Sequence, residues 1–178
     1  MSSGPDQYEH LIRDLVDHPE PGVTFKDITP LLGSPDALPA VVDAMIEPYE
    51  ATEIDRVVGI EARGFILATP IALRFGSGFV PVRKPGKLPA AVHGIDYDLE
   101  YGTDRLEMHT DAVNPGDRVL IVDDVLATGG TAAAAAALVT LGGASVVGFA
   151  FMMELDFLKG RDRLGSIPVE SVYHWDGS

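Results

Sequence analysis

Two adjacent carboxylates, Asp123 and Asp124, lead directly into Val125-Leu126-Ala127-Thr128-Gly129-Gly130-Thr131. The acids would repel a phosphate, but they can accept hydrogen bonds from neutral hydroxyls. The small, hydroxyl- and glycine-rich turn behind them offers backbone N–H groups at the start of an alanine-rich helix, where the macrodipole favours an anion. A sugar phosphate satisfies both halves at once. Its ribose hydroxyls would lie on Asp123 and Asp124, and its 5′-phosphate in Ala127, Thr128, Gly129, Gly130 and Thr131. A buried strand followed by Gly-Gly is common in α/β proteins, and it is the acid pair that narrows the reading.

A second anion site is suggested by two further segments. Glu61-Ala62-Arg63-Gly64 forms a turn in which Ala62 supplies an amide and Arg63 a planar fork of donors suited to a diphosphate. Alone, Arg63 could equally be a surface ion-pair residue. Only four of the thirteen basic residues are Lys, and two of them, Lys84 and Lys87, lie with Arg83 in one basic loop. In a chain of net charge −14 that loop reads as a diphosphate contact. The same charge argues against general nucleic-acid binding, which requires a basic patch. The five histidines show no metal-site spacing, and no Ser–His–Asp pattern or catalytic thiol is present.

These segments need a frame. The 178 residues, 46% of them hydrophobic, suit one α/β domain spanning 1–178, with no repeat or linker to divide it. No apolar run approaches the roughly 20 residues needed to cross a bilayer. The opening residues lack signal-peptide character, and the absence of Cys suits a cytoplasmic setting. The pattern predicts a helix near Tyr8–Val16, a loop carrying Val23 to Asp27, and a helix from about Asp36 to Tyr49. Strand Arg56–Ile60, helix Gly64–Phe75 and strand Gly78–Val82 follow. Extended segments near Ala91–Leu99 and Arg105–His109 read as a hairpin arm. Strand Arg118–Asp123, helix Gly129–Leu141, a strand near Ser145–Met153 and a final segment Pro168–Tyr173 complete the order. Alternating strands and helices imply an open, mostly parallel sheet flanked by helices, with ligands beyond the carboxyl ends of its strands. Glu61-Ala62-Arg63, Arg83-Lys84 and Asp123-Asp124 all follow predicted strands and should converge there.

The Asp123–Thr131 segment resembles the 5-phosphoribosyl 1-pyrophosphate (PRPP) signature of the type I phosphoribosyltransferases. Together with Pro21-Gly22-Val23-Thr24-Phe25-Lys26-Asp27-Ile28-Thr29-Pro30, Gly59 to Phe65, Arg83 to Pro89 and Leu99-Glu100-Tyr101-Gly102, the chain resembles their adenine branch over nearly its whole length. The resemblance implies the type I fold, with a small N-terminal base-binding hood (about 1–35) and a flexible lid loop and hairpin arm (about 83–110). It implies purine salvage: adenine and PRPP converted to AMP and pyrophosphate, with Mg²⁺ carried mainly by PRPP and no direct protein ligand assigned. Phe25, otherwise a plausible core anchor, would stack on the base while the backbone at Thr24 and Lys26 reads its edge. Asp123, Asp124 and Arg63 would serve catalysis. Glu100 is the candidate for proton handling at the purine, with ordering of the lid as the competing account, and Tyr101 would gate or pack within the lid. The Glu61–Arg63 turn would hold a strained, non-proline cis peptide. Arg83 would reach the diphosphate of a neighbouring subunit, making the active unit a homodimer. A transferase for another purine such as xanthine, or a non-catalytic PRPP-binding regulator, are the alternative readings.

Overall fold

The computed structural model describes residues 4–98 and 102–177. Strands are β1 (Arg13–Val16), β2 (Thr24–Asp27), β3 (Arg56–Ile60), β4 (Gly78–Val82), β5 (Val92–Asp98), β6 (Thr103–His109), β7 (Arg118–Leu126), β8 (Ser145–Leu155) and β9 (Val169–Trp175). Helices are α1 (Thr29–Leu32), α2 (Ala37–Ile46), α3 (Gly64–Phe75) and α4 (Gly130–Leu141). Among the described residues, five strands form one parallel sheet in the order β4-β3-β7-β8-β9, while β1–β2 and β5–β6 are separate antiparallel pairs.

The central strands are apolar on both faces, as a covered parallel sheet requires. Consecutive residues alternate between two cores. Val57, Leu120, Val122 and Met152 pack under α2 and α3, whereas Val58, Ile121, Phe149 and Phe151 pack under α4 and β6. The alanine run serves the second core: Ala132, Ala134 and Ala135 are buried, and their small side chains bring α4 close to the sheet.

Sequence and structure agree on β3, α3 and β4 to the residue, and they part at the N-terminus. The expected helix near Tyr8–Val16 is a 3₁₀ segment, Pro5–Leu11, followed by β1. Tyr8, Leu11, Ile12, Leu15 and Val16 do follow helical spacing, but pairing of β1 with β2 in register Leu15↔Phe25 overrides it. The expected loop Val23–Asp27 is accordingly a strand from Thr24 onward. The hairpin arm is present as β5–β6.

Strand β7 also runs further than predicted. It leaves its β3 partner after Gly59↔Val122 yet continues beside β8 to Leu126↔Glu154. Asp123 and Asp124 therefore sit where one neighbour has turned away, with an open edge in front of them.

Candidate active site

That opening is the mouth of a cavity of about 400 Å³. It is lined by Glu61, Ala62 and Arg63 from the turn after β3, by Lys84 after β4, and by residues 123–132 of β7, the turn and α4. Phe151 closes it from β8. Three strand ends thus converge on one edge of the sheet, as the parallel topology requires.

The acid pair is tightly held. Asp124 is buried, and Arg63 Nε lies 2.5 Å from its Oδ2. The Asp124 N–H donates to Asp123 Oδ1 at 2.9 Å. Burial, and then the adjacent Asp124 charge, push the Asp123 carboxyl well above the ordinary carboxylate range, with Arg63 offsetting part of the effect. Helix α3 starts hard against this pair: a Cβ on Gly64 would lie 2.8 Å from Asp123 Oδ1 and 3.0 Å from the Val122 carbonyl oxygen. The turn before it contains the expected cis peptide, between Glu61 and Ala62.

Behind the acids, the Ala127–Thr131 turn is set by backbone shape. Gly129 has φ +80°, and a Cβ there would also meet the Gly160 carbonyl oxygen at 2.3 Å. The turn ends at the N-terminus of α4, where successive N–H groups have no helical acceptor. Ala127, Thr128, Gly129, Gly130 and Thr131 all line the cavity, the place for an anion expected from the sequence.

The expected base-binding residues stand next to it. The Arg63 guanidinium carbon lies 5.1 Å from the Phe25 ring centroid while its Nε holds Asp124, so one side chain spans the two halves of the site. His18 also packs against Phe25 in an edge-to-face pair, at 5.4 Å between centroids. The His18 N–H donates to the Val23 carbonyl at 3.0 Å, so β1 lies on the edge that Val23 shares with Phe25 by strand alternation. The peptide groups of Thr24 and Lys26 then lie on the opposite edge of β2. The Lys26 side chain points elsewhere: its Nζ is 2.7 Å from Asp14 and 4.6 Å from the Trp175 ring centroid.

Residues 31–165 match the phosphoribosyl transferase domain. An adenine phosphoribosyltransferase of Thermobifida fusca is 57% identical over 164 residues, covering 92% of this chain and 93% of the relative. The crystal structure of the Rhodothermus marinus adenine phosphoribosyltransferase matches with TM-score 0.92 at 53% identity, over 96% of this chain and 98% of that one. The Saccharomyces cerevisiae enzyme, solved with adenine and an imino-altritol bisphosphate, matches with TM-score 0.90 at 39% identity, over 97% and 99%. The chain belongs to the adenine phosphoribosyltransferase family.

Not every residue expected from the sequence joins this cavity. Arg83 and Lys87 do not line the cavity. Arg83 is turned aside by Glu61 (Nε to Oε2, 3.0 Å) and by the Lys87 carbonyl (3.2 Å). Lys84 does line it, but its Nζ is occupied by Asp104 and by the Tyr97 hydroxyl at 3.2 Å. The Thr131 hydroxyl in turn lies 3.4 Å from that of Tyr97, so the hairpin arm is linked to both anion segments. Lys84 holds the Asp104 carboxyl below its usual range. Glu100 and Tyr101 lie outside the described residues.

Glu61 was placed in the turn, but its pairing with Arg83 was not foreseen. Tyr97, Asp104 and Gly160 escaped sequence reasoning because each supports the site from another element. A cluster of Glu154, Asp156 and His174, with ligand atoms within 4.8 Å of one another, escaped it too, since β8–β9 pairing brings Glu154 beside His174. Glu154 already receives Arg161 Nε at 2.7 Å and the Ser171 hydroxyl at 2.8 Å, which makes the cluster an ion-pair network.

Proposed function

We propose that this chain transfers the 5-phosphoribosyl group of PRPP to adenine, forming AMP and pyrophosphate in purine salvage. The observation that carries the reading is the reach of Arg63, which joins the acid pair beside the phosphate turn to the aromatic face of Phe25. The close likeness to adenine phosphoribosyltransferases supports it.

The 5′-phosphate sits in the Ala127–Thr131 turn, and Asp123 and Asp124 accept hydrogen bonds from the ribose hydroxyls. Ala62, Arg63 and Lys84 receive the diphosphate. As the bond from the anomeric carbon to the diphosphate oxygen breaks, the electron pair leaves with pyrophosphate, and the sugar becomes cation-like. The negative field of the acid pair stabilises that charge. Adenine N9 then bonds to the anomeric carbon as the base gives up its ring proton to Glu100. Phe25 fixes the plane of the base, and the peptide groups of Thr24 and Lys26 match its edge. A six-oxo purine reverses that edge and leaves buried groups unpaired. Catalysis is mainly orientation plus electrostatics.

The cavity suits a substrate carrying Mg²⁺, since its carboxylates stand among the diphosphate donors and can receive the waters such an ion keeps. Bound with PRPP, Mg²⁺ neutralises the leaving diphosphate. A homodimer is the active unit in this reading, with Arg83 serving the partner's diphosphate. Its support is that Arg83 stays outside its own cavity, and that Ile66, Leu73 and Phe79 are exposed on α3 and β4. The setting we propose is cytoplasmic; among the described residues no helix is long and apolar enough to cross a membrane.

The test is AMP formation from PRPP and Mg²⁺, with adenine, hypoxanthine, guanine and xanthine run in parallel. Adenine-selective turnover is expected. Preference for another base would overturn the reading of β2, and absence of turnover with every base would overturn catalysis itself.

A further inference from the structure

The hood has no hydrogen-bonded strand pairing to the central sheet among the described residues, because β2 pairs with β1 alone. Yet the peptide edge proposed to read adenine belongs to β2, and an edge that drifts relative to the ribose cannot discriminate a base. Something must fix it.

Lys26 is placed to do so. It lies within the reading segment itself, and its side chain leaves the base side to lodge between Asp14 of β1 and Trp175 at the end of edge strand β9. Trp175 is the only tryptophan in the chain and packs against the core beneath α2, with its ring 6.2 Å from that of Tyr173. The Tyr173 hydroxyl donates to the Pro5 carbonyl at 2.7 Å, so the same strand end also grips the start of the chain. An ammonium over an indole face is the strongest of the side-chain cation–π pairings, and the side chain of Lys26 is only 16% exposed. On one side the Lys26–Trp175 pair borders a shallow groove that it shares with Asp6, Glu9, His10 and Asp14.

We propose that Trp175 is a positioning residue for adenine: with Asp14 it clamps the Lys26 side chain and thereby locks the base-reading edge of β2 to the central sheet. The proposal rests on the assignment of Thr24, Phe25 and Lys26 to the base. Trp175 touches no substrate and acts only through Lys26.

The experiment is steady-state kinetics of the full chain with adenine and PRPP varied separately. Trp175→Leu raises the adenine KM about fivefold, the order of one cation–π contact, and leaves the PRPP KM within about twofold. Trp175→Phe, which keeps an aromatic face, restores most of the loss. Lys26→Met produces a similar rise, and the double variant is no worse than either single one because the clamp is already open. If Trp175→Leu does not fold, Lys26→Met and Asp14→Asn carry the same test. An unchanged adenine KM, or equal rises in both KM values, would overturn the clamp. Phe25→Ala run alongside separates the two ideas. A rise with Phe25→Ala but none with Trp175→Leu sinks the clamp alone, and no rise with either sinks the base assignment beneath it.

Discussion

The phosphate half of the site and the base half are built in different ways. The phosphate half is made of main chain at the ends of three parallel strands and the start of α4, with Gly64 and Gly129 packed so closely that neither admits a Cβ. The base half is a two-stranded hood, stitched internally by Arg13 on Asp27 and tied down by two side-chain contacts, Lys26 on Trp175 and Arg63 over Phe25. The division follows from what each half is proposed to handle. Diphosphate and a developing sugar cation call for fixed dipoles aimed before the reaction starts, which a sheet edge supplies. A neutral planar base needs one face and one edge, which a small ribbon can offer. Damage to the first half should therefore appear in turnover, and damage to the second in the adenine KM alone.

The largest break in that contrast is expected at Asp124. Asp124→Asn keeps the shape but removes the charge that Arg63 and the ribose cation both face, and kcat should fall by about a hundredfold or more. Near-normal turnover would remove Asp124 from the chemistry. Phe25→Ala should be milder and confined to one substrate. The adenine KM should rise about tenfold, equivalent to about 1.4 kcal/mol, with the PRPP KM little changed. Unchanged adenine kinetics would make Phe25 a packing residue.

Asp123 sharpens the contrast by coupling function to stability. Its carboxyl titrates higher in the folded chain than in the unfolded one, because burial and Asp124 both oppose its charge. The ionised group therefore weakens folding once the pH exceeds the ordinary carboxylate value near about 4, with the full cost above its raised folded pKa. Asp123→Asn keeps an acceptor for the Asp124 N–H while shedding the charge. It should lose activity yet melt about 2–4 °C higher at neutral pH, an advantage that vanishes below about pH 4. A lower melting temperature at neutral pH would show that the pair is not strained.

The same contrast explains what the sequence could reveal. Asp123 to Thr131 form one continuous segment, so acids, turn and helix start were legible together, and β3, α3 and β4 announced themselves through apolar runs and turn residues. The strand pair of the hood was not, because Arg13–Val16 is a strand only by virtue of Thr24–Asp27 across from it. Lys84 was recognised as basic, but its partners Asp104 and Tyr97 come from the hairpin arm, and no local pattern connects them. Contacts made across elements, such as Glu61 with Arg83 or Gly160 under the phosphate turn, carry no periodicity to read.

The smallest expected effect concerns Asp27, the hinge between the hood and α1. Its carboxylate accepts from Arg13 Nε at 3.1 Å and Nη2 at 2.5 Å, and from the Thr29 N–H and hydroxyl at 2.9 and 2.7 Å. Arg13 first, and then the Thr29 amide, lower its pKa to about 2. A carboxyl depressed by folding adds stability above its unfolded pKa and loses it as the pH falls through the folded value. The melting temperature of the wild-type chain should thus exceed that of Asp27→Asn by a constant margin above about pH 5, and the margin should shrink between about pH 4 and pH 2. Because Arg13 is largely exposed and solvent screens its pairing with Asp27, that margin should be only a degree or two. A margin that stayed flat down to pH 2 would mean that the ionised carboxylate does not hold the hood, and would leave Lys26 and Arg63 as its remaining side-chain ties.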